Sequence, residues 1–585
     1  MRRLTLLLTC LLPLSAGAES AADRAFENLA QEYLSDIPNF SPVNATLIGD
    51  HSRDDALDRV NAAARRKQLD LYEQYRDALD AIEPGALSRA NQVDAKLLRH
   101  EIESSTWSLA EFEEWAWNPL VYTNLAGSAI YGLVARDFAP IEVRLGNVTA
   151  RLEQLPRFFA EARKSLVPAR VPKIHAETAI KQNAGVLSII DLMIVPEMDA
   201  LPAAERAALE SAIAKARKAI DEQQAWLENE LLPAAAGDFR IGAALYDKKL
   251  AFALNSPMSR RDVQSRAEAE YQRVRNEMYE IARGIYAEEH PYTYFPDTPD
   301  EAFKQVIIRA ALEKAYQELP PPDGIVDIAK EQLQQAIDFV VEKNLVEMPD
   351  DPVEIIIMPE FQRGVSVAYL DPPGPLDEGQ SAFYAVAPLP EDWTEEQVRS
   401  FLREYNLYSI QDLTLHEGVP GHYLQIAHSN RYPSTLRSVF WSGPFVEGWA
   451  VYAERMMIDE GYLDHDPLMR LINLKWYLRG ITNAIIDSAI HVDGMTEQQA
   501  MKLMIEGGFQ EEREAAGKWI RAQLTSAQLS TYFVGYQEHV EMRRAAEEAW
   551  GESFTLRRYH DAALSFGSPP VKYVRALLLD EPIPD

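Results

Sequence analysis

Apolar residues recur at helical spacing through nearly all of this 585-residue chain, which leaves a sheet-based fold little sequence to use. The run from Leu201 to Gly237 is typical. Its apolar side chains recur every three or four positions among Ala, Glu and Lys, which are strong helix formers. Ser259–Glu288 and Asp327–Lys343 read the same way. No signature of the known helical arrays recurs at a fixed period. Strand-like text is confined to three runs, Val353–Pro359, Gly364–Leu370 and Ser381–Leu389, each β-branched or aromatic and bounded by Pro or Gly. "DPPGPLDEGQ", between the last two, is a loop by composition. The expected fold is mainly α, with a small β-sheet just ahead of a helix that carries an unusual histidine pair. The edge of such a sheet can hold an extended peptide by strand addition, although a purely structural hairpin fits the order equally well.

Two compositional breaks divide the helical text, one near Gly237 and one at Leu319–Gly324. They suggest an N-terminal helical lobe over 19–236 and a C-terminal lobe over 237–585. Residues 1–18 have a different character. Arg2 and Arg3 precede an apolar stretch from Leu4 to Leu14 and an Ala16-Gly17-Ala18 cleavage pattern, which predicts a signal peptide cut after Ala18. The stretch is too short to span a bilayer, and Thr9 before Cys10 disfavours lipid attachment there. The expected location is therefore periplasmic or secreted.

Cys10 is the only cysteine, so the mature chain has none. That excludes disulfides, a cysteine nucleophile and a thiolate metal site, and leaves stability to a core that 47% apolar residues can supply. The net charge is −32, and loss of Arg2 and Arg3 takes it to −34. A field of that sign opposes nucleic acid and anionic membranes, so neither a nucleic-acid partner nor stable membrane insertion is expected.

The chemistry concentrates in "TLHEGVPGHYLQ" (Thr414–Gln425). A hydrolytic zinc site needs about three protein ligands, commonly two His and a carboxylate, and a second carboxylate to take a proton from water. His416 and His422 are candidate ligands and Glu417 a candidate base. On an unbroken helix, six residues would leave the two imidazoles about 120° apart and about 9 Å apart along the axis. The insert removes that objection. Pro420 lacks the N–H that would bond the carbonyl of His416, and Gly418 and Gly421 allow backbone paths closed to other residues. A kink is thus predicted between the histidines. "FVEGWAVYAERM" adds Glu447, 25 residues after His422, as a third ligand, and Glu454 as the carboxylate that orients a ligand.

"HEGVPGHYLQ" followed by "EGWAVYAE" resembles the bacterial family known as domain of unknown function 885. "FSPVNATLIGDH", "DSAIH", "YFVG" and "YHDAALSFGSPP" match its other segments in order. The family looks like a set of zinc metallopeptidases, which implies a two-lobed, cleft-bearing helical fold and short peptides as substrates. It also implies one Zn2+ held by His416, His422 and Glu447, with Glu417 as general base. Asn483 stands where members often carry arginine, and "SAFYAVA" lacks the usual glycine and asparagine.

The remaining site candidates follow from the needs of that reaction. An oxyanion needs a donor beyond the metal, and the resemblance to helical zinc peptidases implies a Tyr or His from a late helix, for which His560 and Tyr532 are favoured over Tyr536. Asp487 and His491, four apart on one helix, are read as groups that orient an active-site histidine. Arg521 or Arg543 is a candidate receptor for a substrate carboxylate, and Tyr384 and Tyr536 are candidate substrate contacts. Two other functions fit the same residues: a zinc amidohydrolase acting on a non-peptide amide, and a helical binding protein with a structural or lost metal site.

Overall fold

In the computed structural model, residues 20–358, 368–390 and 393–585 are described. The leader and the first half of the second strand-like run lie outside them. Helix dominates, as the periodicity requires. In the N-terminal part, α1 (Ala21–Phe40) and α2 (Pro42–Leu47) precede two long packed helices, α3 (Ile141–Ser165) and α4 (Ala203–Trp226). Their apolar faces close a core running from Val43 to Leu231, with Leu145, Leu152, Phe158 and Leu209 fully buried. The run Lys173–Ala200 has the length and apolarity to cross a membrane, but Ala176, Ala179, Ile190 and Ile194 on it are buried in this core.

The remainder is built from α5 (Arg260–Glu289), α6 (Ile325–Lys343), three strands, and a closing set of helices. The strands are β1 (Val353–Ile357), β2 (Ala368–Asp371) and β3 (Ala382–Val386). The helices are α7 (Leu407–Glu417), α8 (His422–Ser429), α9 (Gly443–Asp459), α10 (Pro467–His491), α11 (Glu512–Leu524), α12 (Thr531–Trp550) and α13 (Leu556–Leu564). The three strand-like runs do pair, though not as a simple meander. β3 lies in the middle, parallel to β1 and antiparallel to β2, so β2 is an outer strand. One face of the sheet packs on α6 and α7 through Tyr384, Val386, Ile325 and Ile410. The sheet is thereby fixed against the helix that ends in His416 and Glu417.

The N-terminal helices are fastened to this remainder rather than merely adjacent to it. Arg437, fully buried, donates to the Asp94 carboxylate and to the carbonyls of Ala90 and Phe566. Leu436 joins the cluster of Phe26 and Tyr33, and Val93 and Leu97 pack on Tyr573.

Candidate metal centre

Helix α7 stops where the sequence says it must. Gly418 N–H closes its last turn on the Thr414 carbonyl at 3.0 Å, Val419–Pro420 is a cis peptide, and a new helix starts at His422. Gly421 lies so close to the end of α7 that an added Cβ would sit 1.9 Å from the His416 carbonyl oxygen, a gap only glycine tolerates. Trp449 on α9 holds the turn by donating from its indole nitrogen to the Pro420 carbonyl at 2.8 Å. The result is the predicted kink, and it brings the His416 and His422 rings to 4.6 Å between centroids.

Glu447 enters from α9. Its Oε2 is 3.4 Å from His422 Nε2 and 3.7 Å from His416 Nε2, and the three ligating atoms fall within 4.8 Å of one another. Helix α9 can deliver this carboxylate because it crosses α12 backbone to backbone at Gly448 and Gly535. A Cβ on Gly448 would lie 2.2 Å from the Gly535 carbonyl carbon. Burial disfavours charge on both partners. The two histidines nonetheless hold the Glu447 carboxyl well below the usual carboxylate range, and Glu447 with Glu454 holds the His416 ring well above the usual imidazole value.

Glu447 Oε2 is buried without a hydrogen-bond partner among the described residues, and both imidazole Nε2 atoms converge on it. Two imidazoles and one carboxylate within this reach are donor types that could hold a metal ion. Behind it, Glu454 accepts from His416 Nδ1 at 2.5 Å, which fixes the tautomer that leaves Nε2 facing Glu447. Asp412 lies one turn before His416 on α7. Burial and the neighbouring Glu454 push its carboxyl well above the usual range. Sequence reasoning passed over Asp412, although its four-residue spacing to His416 was legible.

Glu417, 8% exposed, turns toward the sheet. Its Oε2 accepts the N–H of Leu370 on β2 at 2.9 Å. The outer strand therefore orients the candidate base, and the Leu370 donor is not open to an added peptide strand. β2 itself is gripped by the N-terminal part. Tyr131 donates to Asp371 at 3.0 Å, Arg136 bonds the Asp371 backbone, and Leu376 N–H reaches the Ile48 carbonyl at 3.0 Å.

On the other flank, the Tyr532 ring lies 6.5 Å from His416 at an interplanar angle of 25°, and Arg521 donates to its hydroxyl at 3.3 Å. The structure thus brings His416, Glu417, His422, Glu447, Glu454, Arg521 and Tyr532 into one neighbourhood. Asp487 and His491 do not touch the histidines. Asp487 accepts from Ala527 N–H and from both Ser530 donors, while His491 Nε2 bonds the carbonyls of Ala522 and Thr525. Together they fasten the connection between α11 and α12, which carries Arg521 and Tyr532.

Besides Asp487 and His491, which brace a connection and do not orient a site histidine, four expectations are corrected. His560 is fully buried, with Nδ1 on the Leu345 carbonyl at 2.7 Å and Nε2 on the Tyr452 hydroxyl at 2.8 Å; burial drives its pKa down to about 3, and it has no donor left for an oxyanion. Tyr384 is 1% exposed and points into the sheet–helix core near Thr414, so it cannot touch substrate. Tyr536 packs on Tyr477 and lines a separate depression with Tyr452 and Arg455. Arg543 lines that depression too, paired to Glu547 at 2.8 Å.

Residues 42–578 match the family described as "Bacterial protein of unknown function (DUF885)", and the chain belongs to it. No protein of curated function matches. Among solved structures, one from Shewanella oneidensis, described as a "putative lipoprotein of unknown function", is 35% identical. The match covers 95% of this chain and 99% of that one, with a TM-score of 0.79. A second, from Colwellia psychrerythraea and described as a "putative lipoprotein", shares the fold at 17% identity and a TM-score of 0.77, over 96% and 99% of the two chains.

Proposed function

We propose that this DUF885 member is an extracytoplasmic zinc-dependent peptidase that hydrolyses short peptides. The observation that carries this reading is the convergence of His416, His422 and Glu447, with Glu454 braced behind the first histidine. A location outside the cytoplasm is supported by the leader at residues 1–18 and by the lipoprotein descriptions of both structural neighbours.

Zn2+ held by the three residues would supply Lewis acidity, both to polarise a peptide carbonyl and to acidify water. Glu417, aimed by the Leu370 N–H, takes the proton of the attacking water and returns it to the departing amine, as a general base and then a general acid. Tyr532, whose ring lies beside His416 and whose hydroxyl is steadied by Arg521, donates to the tetrahedral oxyanion. A mass-spectrometric screen of a peptide library against the wild type and Glu417→Gln tests the reading. Cleavage that disappears in the variant is expected. An intact library, or cleavage that survives the substitution, contradicts it.

A further inference from the structure

Beside Tyr532 lies a group of cations of which the proposed hydrolysis uses only Arg521. Lys518 and Arg521 are three residues apart on α11, with Glu514 one turn earlier on the same face. Arg479 reaches them from α10 through an ion pair with Glu514. Glu514 is the group's own anion, and it is already committed, since its second oxygen accepts from Tyr405 at 3.1 Å. Three basic side chains thus gather around Glu514.

Lys518 is 5% exposed, yet it forms no hydrogen bond or ion pair with any described residue. Nη1 of Arg479 is also buried and without a partner among them. A buried guanidinium nitrogen left in this way is costly. The contrast with Lys475, on the same helix as Arg479, is direct: it is 2% exposed and pairs with Glu404 at 2.8 Å. Burial pushes the Lys518 ammonium well below the usual lysine value, Arg479 and Arg521 push it further, and Glu514 and Glu447 oppose them only in part. Glu447 appears in that balance because the cationic group adjoins the candidate metal ligands. The Arg521–Tyr532 bond and the Tyr532–His416 ring approach trace the same adjacency.

We infer that Lys518, Arg479 and Arg521 form the receptor for a carboxylate of the substrate, in the first instance the free α-carboxylate at the C-terminus of a short peptide. The inference rests on the peptidase reading for the name of the substrate, but not for the anion site itself. A carboxylate placed there gives Lys518 and Arg479 Nη1 the acceptor that no described residue supplies. It also anchors one end of the peptide at a fixed reach from the histidines, so cleavage falls near the C-terminus and not at interior bonds of long chains.

The test uses the full chain carrying Glu417→Gln, so that binding is read without turnover. Three probes are titrated calorimetrically: tetra-alanine as the free acid, tetra-alanine amide, and Ala-Ala-Ala-Glu amide. The free acid is expected to bind about tenfold or more tightly than tetra-alanine amide, and Lys518→Met should erase the difference while Lys518→Arg keeps part of it. If the glutamyl amide binds as tightly as the free acid, the carboxylate receptor stands and an acidic side chain is its source. Equal binding of all three probes overturns the proposal, and that comparison needs no Lys518 variant to fold. The peptidase reading fails separately: a library left intact by the wild type would refute hydrolysis even with the carboxylate preference in place. Glutamate-dependent cleavage indifferent to amidation would remove the receptor alone.

Discussion

Glu454 determines how the first histidine presents its ring. By accepting from Nδ1 it keeps Nε2 turned toward Glu447, and it raises the pKa of the neighbouring Asp412 carboxyl. Glu454→Gln replaces a carboxylate with an amide of the same shape. It should lower zinc affinity by about 10- to 100-fold with little loss of thermal stability, as read by competition with a chromophoric chelator and by calorimetric melting. Unchanged affinity would remove Glu454 from the metal site. At this scale the sequence was most legible where a motif is local. The Gly-Val-Pro-Gly insert announced the break after His416, and the seven-residue step from Glu447 to Glu454 announced two carboxylates on one helix face. Lys518 and Arg479 were not legible, because their meaning lies in the partners they lack, and only packing reveals that. His560 misled for a related reason: a late histidine in a familiar segment gives no sign that a backbone carbonyl and a tyrosine already occupy both its nitrogens.

Between elements, the chain of support runs from the N-terminal part to the candidate base. His51, which follows α2, stacks on Phe138 at 3.7 Å and bonds Asp54 at 2.9 Å and Asp377 at 3.0 Å. Asp377 belongs to the loop after β2, and β2 orients Glu417. Burial alone would lower the His51 pKa, but Asp377 and Asp54 outweigh it and raise it to about 9. A histidine whose pKa is higher in the folded state adds stability that is complete below its unfolded value of about 6.5 and is lost as pH rises through 9. Wild type should therefore lose up to about 3 kcal/mol relative to His51→Gln between those limits, measured by denaturant unfolding at matched ionic strength. Parallel pH profiles for the two proteins would show that the clamp adds nothing. The three strand-like runs foretold the strands. They did not foretell that β3 would lie between the other two, because pairing order depends on how the sheet meets α6 and α7.

For the whole molecule, helical periodicity correctly called for a mainly helical protein, and the family match over residues 42–578 agrees with the motifs that first suggested it. With Cys10 as its single cysteine the chain can close no internal disulfide, which leaves stability to packing, including the buried Arg437–Asp94 ion pair that fastens the N-terminal helices to the segment between α8 and α9. Metal content, measured together with hydrolysis, tests the central claim at this scale. Wild type, Glu417→Gln and His422→Ala are purified without added chelator, analysed for zinc by mass spectrometry, and assayed on one peptide that the wild type cleaves. The account predicts about one zinc per chain in the first two proteins and a clear loss in the third, with hydrolysis confined to the wild type. Wild-type protein that cleaves the peptide without zinc, or zinc retained at full occupancy in His422→Ala, would contradict it.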